Sequence, residues 1–293
     1  MTSVSPLSAP ARTGDRGELV ARLRAAATRI RRSALTMGEV QGQGYIGQAL
    51  GVADVLAVFY ARGDGELRLR PEDPDWDGRD RFLLSIGHYA IALYAALAEA
   101  GTIPLEELET YGADESRLPM SGMASYTPGM EISGGSLGHG LGVACGMGLA
   151  LRHRGNPARV INLLSDGELD EGSTWEAAMA CAHHELGNVT AVVDVNGLQA
   201  DGPTPGVLRT EPVTDKWRAF GWHAVRVDGN DIPALLDGLD EIRTHTAGPS
   251  VLICDTRIGR GVPFLENREK AHFMPVAEHE WQAARDQLEG AHL

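Results

Sequence analysis

Residues 159–202 read RVINLLSDGELDEGSTWEAAMACAHHELGNVTAVVDVNGLQADG, and this stretch decides the fold. An apolar β-type run, Val160 to Leu164, is followed by a segment with apolar residues at helical spacing, which Gly187 closes. A second β-type run, Val189 to Val195, leads directly into Asn196. The pattern predicts one strand–helix–strand unit, and its length suits a right-handed crossover between parallel strands.

Two polar residues follow the two predicted strands directly. Asp166 comes after the first strand, and Asn196 comes after the second, 30 positions later. Parallel neighbours place their carboxyl ends at one edge of a sheet, where open α/β sheets bind ligands, so these side chains could converge. Carboxylate and amide oxygens beside a glycine turn and a helix N-terminus suit Mg²⁺ with a diphosphate. The alternative stays open here, because Asp-Gly and Asn-Gly are also ordinary turn dipeptides.

The same stretch resembles the thiamine diphosphate (ThDP) motif, which is written GDG, then roughly thirty residues, then Asn. The segment SDGELDEGSTWEAAM…LGNVTAVVDVNGLQADG is similar to the version found in transketolases. Ser165 stands where the motif has its first Gly, and a small Ser is tolerated there if its backbone keeps a negative φ. The resemblance implies that Mg²⁺ binds Asp166, Asn196 and the backbone carbonyl of Leu198, and that the diphosphate binds N–H groups around Gly167 and Glu168.

Two histidines of the transketolase family have counterparts in this chain. The segment GRDRFLLSIGHYAIALYAALAEAG resembles the family's SKGHAA region, which implies that His88 hydrogen-bonds the diphosphate. The segment DTRIGRGVPFLENREKAHFMP places His272 at a third family histidine, near the cofactor's amino group and the substrate, although Ala271 replaces a Trp. An imidazole can donate to phosphate oxygen at physiological pH.

Two other family histidines are replaced. In VQGQGYIGQALGVADVLAVFYAR, Tyr45 occupies the position of an active-site histidine, and in RLPMSGMASYTPG, Ser121 occupies that of a second substrate histidine. Both replacements carry hydroxyls that can hydrogen-bond, but neither can shuttle protons near neutral pH. The resemblance is therefore to a transketolase whose substrate differs from the ordinary sugar phosphates.

The segment PGMEISGGSLGHGLGVACGMGLALR resembles the family's PGxExSTGSLGQGL region. Small residues recur every four positions from Gly138 to Ala150, a spacing that permits close helix packing. In the family this helix lies against the partner subunit. The resemblance implies that Gly135, Ser136 and Leu137 line the thiazolium and aminopyrimidine, and that Glu171 belongs to a carboxylate network linking the two active sites of the dimer. The implied catalytic set is Tyr45, His88, Ser121, Glu171 and His272.

Length and composition limit the class of protein. The 293 residues are 43% hydrophobic and 23% charged, as is normal for a soluble globular protein. The net charge of −14 argues against a nucleic-acid partner or an anionic membrane. No stretch suits a membrane span, and the N-terminus lacks a secretory segment. Three widely spaced cysteines, Cys145, Cys181 and Cys254, are predicted to be buried and reduced, which suits a cytoplasmic protein.

The whole chain predicts an α/β fold in which five strands alternate with helices, a doubly wound parallel sheet flanked by helices. Residues 1–16 are rich in Ser, Pro and Ala and are predicted to be a disordered arm. Residues 17–293 then form a single domain, by resemblance the ThDP-binding (PP) domain, with a C-terminal helical tail. The segment 17–37 has a basic face and is interpreted as a solvated surface helix. A glycine-rich loop and an amphipathic helix over 52–62 follow it.

The resemblance covers residues 17–289 and matches only the N-terminal half of a transketolase. It implies ThDP and Mg²⁺ as cofactors, and transfer of a two-carbon ketol unit from a ketose donor to an aldehyde-type acceptor. The pyrimidine-binding domain, with the glutamate that activates the cofactor, is expected on a separate partner chain in an α2β2 assembly. Two alternatives stay open: a subunit that decarboxylates a 2-oxoacid and transfers an acyl unit, and a non-catalytic cofactor-binding subunit.

Overall fold

The structure is a computed structural model that describes residues 15–62, 66–266, 268 and 272–290. Most of the predicted N-terminal arm, residues 1–14, lies outside the described residues. The last two residues of that predicted arm, Asp15 and Arg16, belong instead to the start of the first helix. Asp15 caps the helix by accepting a hydrogen bond from the backbone N–H of Gly17, and the helix itself begins at Arg16.

The described residues form the following elements. The helices are α1 Arg16–Gln41, α2 Ile46–Gly51, α3 Ala53–Tyr60, α4 Ala90–Glu99, α5 His139–His153, α6 Gly172–His183, α7 Thr204–Val207, α8 Val213–Ala219, α9 Ile232–Thr244, α10 Pro263–Glu266 and α11 Glu278–Gly290. The strands are β1 Gln43–Gly44, β2 Arg81–Leu84, β3 Val160–Ser165, β4 Val189–Val195, β5 Leu198–Gln199, β6 Gly202–Pro203, β7 His223–Asp228, β8 Ser250–Asp255 and β9 Met274–Pro275.

The central sheet has five strands in the order β2-β3-β4-β8-β7, and every neighbouring pair is parallel. Along each strand, alternate residues pack into two different hydrophobic cores, one on each face of the sheet. On β3, Ile161 and Leu163 join the core that includes α1, α3, α4 and α9. Val160 and Leu164 join the core that includes α5, α6 and α8. Both faces of the sheet are therefore covered by helices, which confirms the predicted doubly wound fold.

The interpretation of α1 as a solvated surface helix holds for only one side of the helix. Leu23, Ile30 and Leu35 on this helix are fully buried, and so is the charged Arg31. Helices α3, α4 and α11 pack against this buried side, while the opposite side, with Arg29, stays exposed. The guanidinium of Arg31 is tolerated inside because it forms an ion pair with the buried carboxylate of Asp54 on α3.

Two other local predictions need correction. The predicted glycine-rich loop contains the short helix α2, and the following helix α3 is buried on all sides rather than amphipathic. Helix α6 ends at His183 rather than at Gly187, and Glu185, with φ of 50°, makes the left-handed turn that follows it. Gly187 has a different reason to lack a side chain: a Cβ there would lie 2.3 Å from the backbone carbonyl oxygen of Thr246.

The predicted state of the cysteines is confirmed, since Cys145, Cys181 and Cys254 are buried and unpaired. In the described part of the chain, no helix combines the length and apolar character that crossing a membrane requires.

Candidate active site

Asp166 and Asn196 meet at the carboxyl edge of the sheet, as predicted. Strands β3 and β4 pair in parallel with Ser165 opposite Asp194, so the residues that follow them emerge side by side. The buried Asp166 carboxylate accepts hydrogen bonds from the backbone N–H of Gly197 at 2.9 Å and from the Thr204 hydroxyl at 2.9 Å. The Asp166 carboxylate, which follows β3, is thus held directly against the loop that carries Asn196.

The side chain of Asn196 is oriented by a buried network. Its amide nitrogen donates to the Tyr89 hydroxyl at 2.8 Å and to the carboxylate of Asp194 at 2.8 Å. Tyr89 in turn donates to Asp194 at 2.8 Å. The amide oxygen of Asn196 accepts from the backbone N–H of Leu198 at 3.0 Å and retains a second lone pair. With its nitrogen fixed by two acceptors, Asn196 presents its oxygen on the opposite side.

The turn after β3 accommodates Ser165, which stands in place of the motif's first Gly. Ser165 has φ of −108° and ψ of 170°, so the serine in place of the motif's first Gly adopts extended backbone without strain. The side chain of Gln199 lies beside Gly167, where an added Cβ would meet it at 3.7 Å, an ordinary contact distance. In the part of the chain that the structure describes, the buried side-chain amide nitrogen of Gln199 has no hydrogen-bond partner. An unpaired buried donor beside this turn is suited to an anion.

The electrostatics of Asp166 favour a bound cation. Burial, together with the negative charge of Asp194, raises the pKa of Asp166 to about 7. A divalent cation would relieve both effects, because it compensates the desolvated charge directly. Asp166, Asn196 and the Leu198 carbonyl offer oxygen atoms alone, the ligand type that Mg²⁺ prefers, with few carboxylates. The residues present therefore fit an Mg²⁺–diphosphate group.

Glu168 has a second role that the sequence did not indicate. Its carboxylate is buried and accepts from the Ser85 hydroxyl at 2.5 Å and from the backbone N–H of Gly138 at 2.7 Å. Gly138 is the N-cap of α5, so Glu168 provides negative charge at the start of that helix. Burial raises the pKa of Glu168 to about 7. The Glu168 side chain ties the turn after β3 to the end of β2 and to α5.

The raised pKa of Asp166 predicts a specific pH dependence of stability. Between about pH 4 and pH 7 the folded chain retains a proton on Asp166 that the unfolded chain has lost, so unfolding releases that proton. The stability that Asp166 contributes is present below its unfolded pKa and is lost as the pH rises through about 7. Without ligands, Asp166→Asn should therefore gain on the wild type as the pH rises: the difference in free energy of unfolding grows by roughly 1.4 kcal/mol per pH unit between pH 5 and pH 7 and is constant above about pH 7.

Thermal unfolding of the wild type and of Asp166→Asn from pH 5 to pH 8 measures this difference in stability. The comparison with the variant is needed because burial lowers the pKa of His88, which makes stability rise with pH over part of the same range. Mg²⁺ with ThDP should stabilise the wild type near pH 8 and leave Asp166→Asn unchanged. A constant difference between the two proteins from pH 5 to pH 8 would contradict the buried carboxyl.

Tyr45, His88 and His272, three of the site residues that the resemblance implies, form an aromatic cluster beside the carboxyl edge of the central sheet. The ring of Tyr45 lies 4.4 Å from that of His88 and 5.5 Å from that of His272, and the two imidazoles are 5.5 Å apart. Burial, with a contribution from His272, lowers the pKa of His88 to about 4, and burial also lowers the pKa of His272. Both imidazoles are therefore neutral near pH 7, and each can donate one N–H.

The loop that carries Ser121 passes the turn that carries His88. The backbone N–H of Gly122 donates to the carbonyl of Gly87 at 3.0 Å, and the N–H of Gly134 donates to the carbonyl of Gly122 at 3.2 Å. A Cβ on Gly134 would lie 2.7 Å from the Cα of Gly87, so both positions need glycine for this close approach. The three segments that hold Ser121, His88 and the residues 135–137 are thus packed together.

Gly135, Ser136 and Leu137 connect this packed loop to α5. A Cβ on Gly135 would lie 3.6 Å from the Ser121 hydroxyl, which places the two positions side by side. Ser136 is exposed, and Leu137 is half-buried against the core. These residues are therefore accessible next to the Ser121 and His88 segments, where the resemblance expects the cofactor rings.

Glu171 lies apart from the aromatic cluster, at the N-cap of α6. It is exposed, and its Cβ lies 2.7 Å from where a Cβ on Gly138 would be, so it stands beside the start of α5. On α5 itself, a Cβ at Gly142 or Gly146 would meet nothing within 4 Å, and Val143 is 39% exposed. The small-residue face of α5 is thus open in this chain, next to Glu171.

The sequence did not indicate several residues that organise the site: Gln48, Tyr89, Asp194, Gln199 and Thr204. One signal was present for Asp194, because an acid inside the apolar run of β4 is unusual unless it has buried partners. The others stand in turns, short helices or the two-residue strand β5, where periodicity says nothing about which side chain faces the site.

Comparison with known proteins points in the same direction. The family model described as the transketolase thiamine diphosphate binding domain matches residues 23–291. A putative uncharacterized transketolase family protein of Sinorhizobium fredii is 64% identical over 259 residues, which are 88% of this chain and 92% of the relative. A 6-deoxy-6-sulfo-D-fructose transketolase subunit of Clostridium sp. is 37% identical over 257 residues, 87% of this chain and 92% of the relative.

A solved structure has the same fold. The transketolase of Campylobacter jejuni aligns with a TM-score of 0.84 and 29% identity, over 92% of this chain and 43% of that chain. This chain therefore spans less than half the length of that transketolase.

Proposed function

This chain belongs to the transketolase family, and we propose from that premise that it is the diphosphate-binding subunit of a two-component, ThDP-dependent transketolase. The observation that carries the proposal is the convergence of Asp166 and Asn196 beside the Gly167 turn. The proposed reaction is transfer of a two-carbon ketol unit from a ketose donor to an aldehyde-type acceptor. A specialised ketose, as in the sulfofructose relative, is part of the proposal, because Tyr45 and Ser121 stand where ordinary transketolases have histidines.

In the proposed complex, Asp166, Asn196 and the Leu198 carbonyl hold Mg²⁺, and the Gly167–Glu168 turn holds the diphosphate. Bound ThDP supplies the carbon nucleophile that cleaves the bond next to the donor carbonyl. His88, neutral because of its burial, donates its N–H to the diphosphate. Gly135, Ser136 and Leu137 lie against the cofactor rings.

The substrate side is proposed to use hydrogen bonding more than proton transfer. Tyr45 and Ser121 offer hydroxyls to the donor in place of imidazoles. These hydroxyls orient hydroxyl and carbonyl oxygens of a sugar by hydrogen bonding. Proton movement then falls to the cofactor and to groups outside the Tyr45 and Ser121 positions.

A separate chain with the pyrimidine-binding domain completes the proposed enzyme, in an α2β2 assembly. The Clostridium relative, which matches this chain over 92% of its length, is named as a subunit. The open face of α5 and the adjacent exposed Glu171 are where the proposal places the contact between subunits. The proposal includes a cytoplasmic location, which the three unpaired buried cysteines support.

The test compares two donor classes with the subunit reconstituted with its partner, ThDP, Mg²⁺ and an aldehyde acceptor. One reaction receives ketose phosphates and 6-deoxy-6-sulfofructose, and the other receives pyruvate. Release of an aldehyde two carbons shorter than the ketose is the expected result, measured by mass spectrometry. Release of CO₂ from pyruvate alone would move the protein to acyl transfer. Failure to bind ThDP with the partner present would indicate a non-catalytic subunit.

A further inference from the structure

Gln48 lies on α2 with 1% of its surface exposed, and it contacts His272 from a segment more than two hundred residues away in the sequence. Its side-chain nitrogen is 2.7 Å from the backbone carbonyl oxygen of His272 and 3.0 Å from the ring Nδ1 of the same residue. Its side-chain oxygen is buried and has no hydrogen-bond partner among the described residues. Both amide hydrogens of Gln48 are thus directed at one residue.

The two contacts together fix the orientation of the amide and the tautomer of the imidazole. A backbone carbonyl can only accept a hydrogen bond, so the group 2.7 Å from it must be the NH₂ of Gln48. That NH₂ has a second hydrogen, directed at Nδ1 of His272. An NH₂ carries no lone pair to accept a proton from the ring, so Nδ1 must be the unprotonated nitrogen. The imidazole proton is therefore on Nε2.

We propose that Gln48 is a positioning residue that holds His272 in the Nε2–H tautomer and fixes its ring beside Tyr45 and His88. With Nδ1 facing Gln48, the ring proton on Nε2 is the one that can hydrogen-bond the backbone of Leu198, a contact that partly offsets the lowering of the His272 pKa by burial. The consequence for catalysis rests on the proposed function: His272 does not remove protons from the sugar through Nδ1, and its ring is held between Gln48 and the loop that carries Leu198.

The His272 ring lies within the aromatic cluster of the candidate site, so its fixed tautomer bears on that site. The Tyr45 ring meets the His272 ring edge-on, at 88° between planes, and the His88 ring lies 5.5 Å from it on another side. Tyr45 is the N-cap residue of α2, three positions before Gln48. The short helix α2 therefore positions both Tyr45, which replaces a family histidine, and Gln48, which orients His272.

The tautomer can be measured directly in the full chain labelled with ¹⁵N-histidine. Long-range ¹H–¹⁵N spectra distinguish protonated from unprotonated ring nitrogens, and the His272 signals are assigned by their loss in His272→Gln. Near pH 8 the wild type should show an unprotonated Nδ1 and a protonated Nε2. Gln48→Met, which keeps the side-chain length but removes both donors, should shift the Nδ1 resonance toward the protonated position as both tautomers become populated.

Gln41→Met is the matched control, because Gln41 also donates its side-chain amide to a backbone carbonyl, that of Tyr111, but has no contact with His272. It should leave the His272 spectrum unchanged. A proton on Nδ1 in the wild type would overturn the proposal, and this measurement needs no variant to fold. A wild-type His272 pattern in folded Gln48→Met would overturn it as well. The spectra do not depend on turnover, so failure of ketol transfer and failure of this proposal give separate results.

Discussion

Replacing Asp166 with alanine is expected to abolish the Mg²⁺-dependent binding of thiamine diphosphate, with a loss of affinity of about 100-fold or more. The carboxylate is the one charged group among the three proposed magnesium ligands. Its burial and its hydrogen bonds from Gly197 and Thr204 hold it in place at the edge of the sheet. Calorimetric titration of ThDP into the assembled complex at saturating Mg²⁺ measures the effect.

Asp201→Ala is the matched control for this experiment. Asp201 has the same charge and lies between β5 and β6, on the hairpin next to the site, but it is exposed. Its loss should change the affinity by less than about threefold, since an exposed charge in water contributes little. If Asp166→Ala bound ThDP and Mg²⁺ as tightly as the wild type, the metal would have to bind elsewhere.

The parts of the fold predicted well are those that depend on local pattern. Strand β4 was predicted with the bounds that the structure has, because an unbroken apolar run between turn residues leaves little choice. The meeting of Asp166 and Asn196 also followed from sequence, since it needs only that β3 and β4 be parallel neighbours. Strands that are consecutive in the chain usually lie side by side, and a helical crossover between them makes them parallel.

The parts predicted poorly depend on partners far apart in the chain. Arg31 belongs to a segment whose charges suggested a surface helix, and only its pairing with Asp54 explains its burial. Gln48 stands in what the sequence presents as a glycine-rich loop, and its partner, His272, comes near the end of the chain. Periodicity carries no information about such pairs, because each member satisfies its local pattern with or without the other.

Asp54→Ala is expected to be the most destabilising substitution away from the cofactor site, lowering the free energy of unfolding by about 3–5 kcal/mol. The Arg31 guanidinium has 0% of its side chain exposed and contacts both Asp54 oxygens, at 3.2 and 2.5 Å. Without Asp54 it would remain buried with only the Leu50 carbonyl, 3.0 Å from its Nε, as a partner. Denaturant unfolding of the wild type and the variant measures the loss.

Glu99→Ala provides the comparison, because it breaks the ion pair between Glu99 and Arg29, and Arg29 lies on α1 like Arg31. Arg29 is 51% exposed, so this loss should cost only about 0–1 kcal/mol. The pair Arg31→Met with Asp54→Leu should recover much of the stability lost in Asp54→Ala, since no buried charge is then left alone. A loss under about 1 kcal/mol for Asp54→Ala would mean that water reaches Arg31 in solution.

The same ion pair links the stability of the fold to the geometry of the site. Arg31 holds the carbonyl of Leu50, and Asn230 holds both Asp54 and the carbonyl of Gly51, so the C-terminal end of α2 is fixed by this network. Helix α2 carries Gln48, and Tyr45 precedes it. Asp54→Ala should therefore also alter the His272 tautomer that Gln48 sets, whereas Glu99→Ala should not. A wild-type His272 spectrum in folded Asp54→Ala would show that α2 is held by its apolar contacts alone.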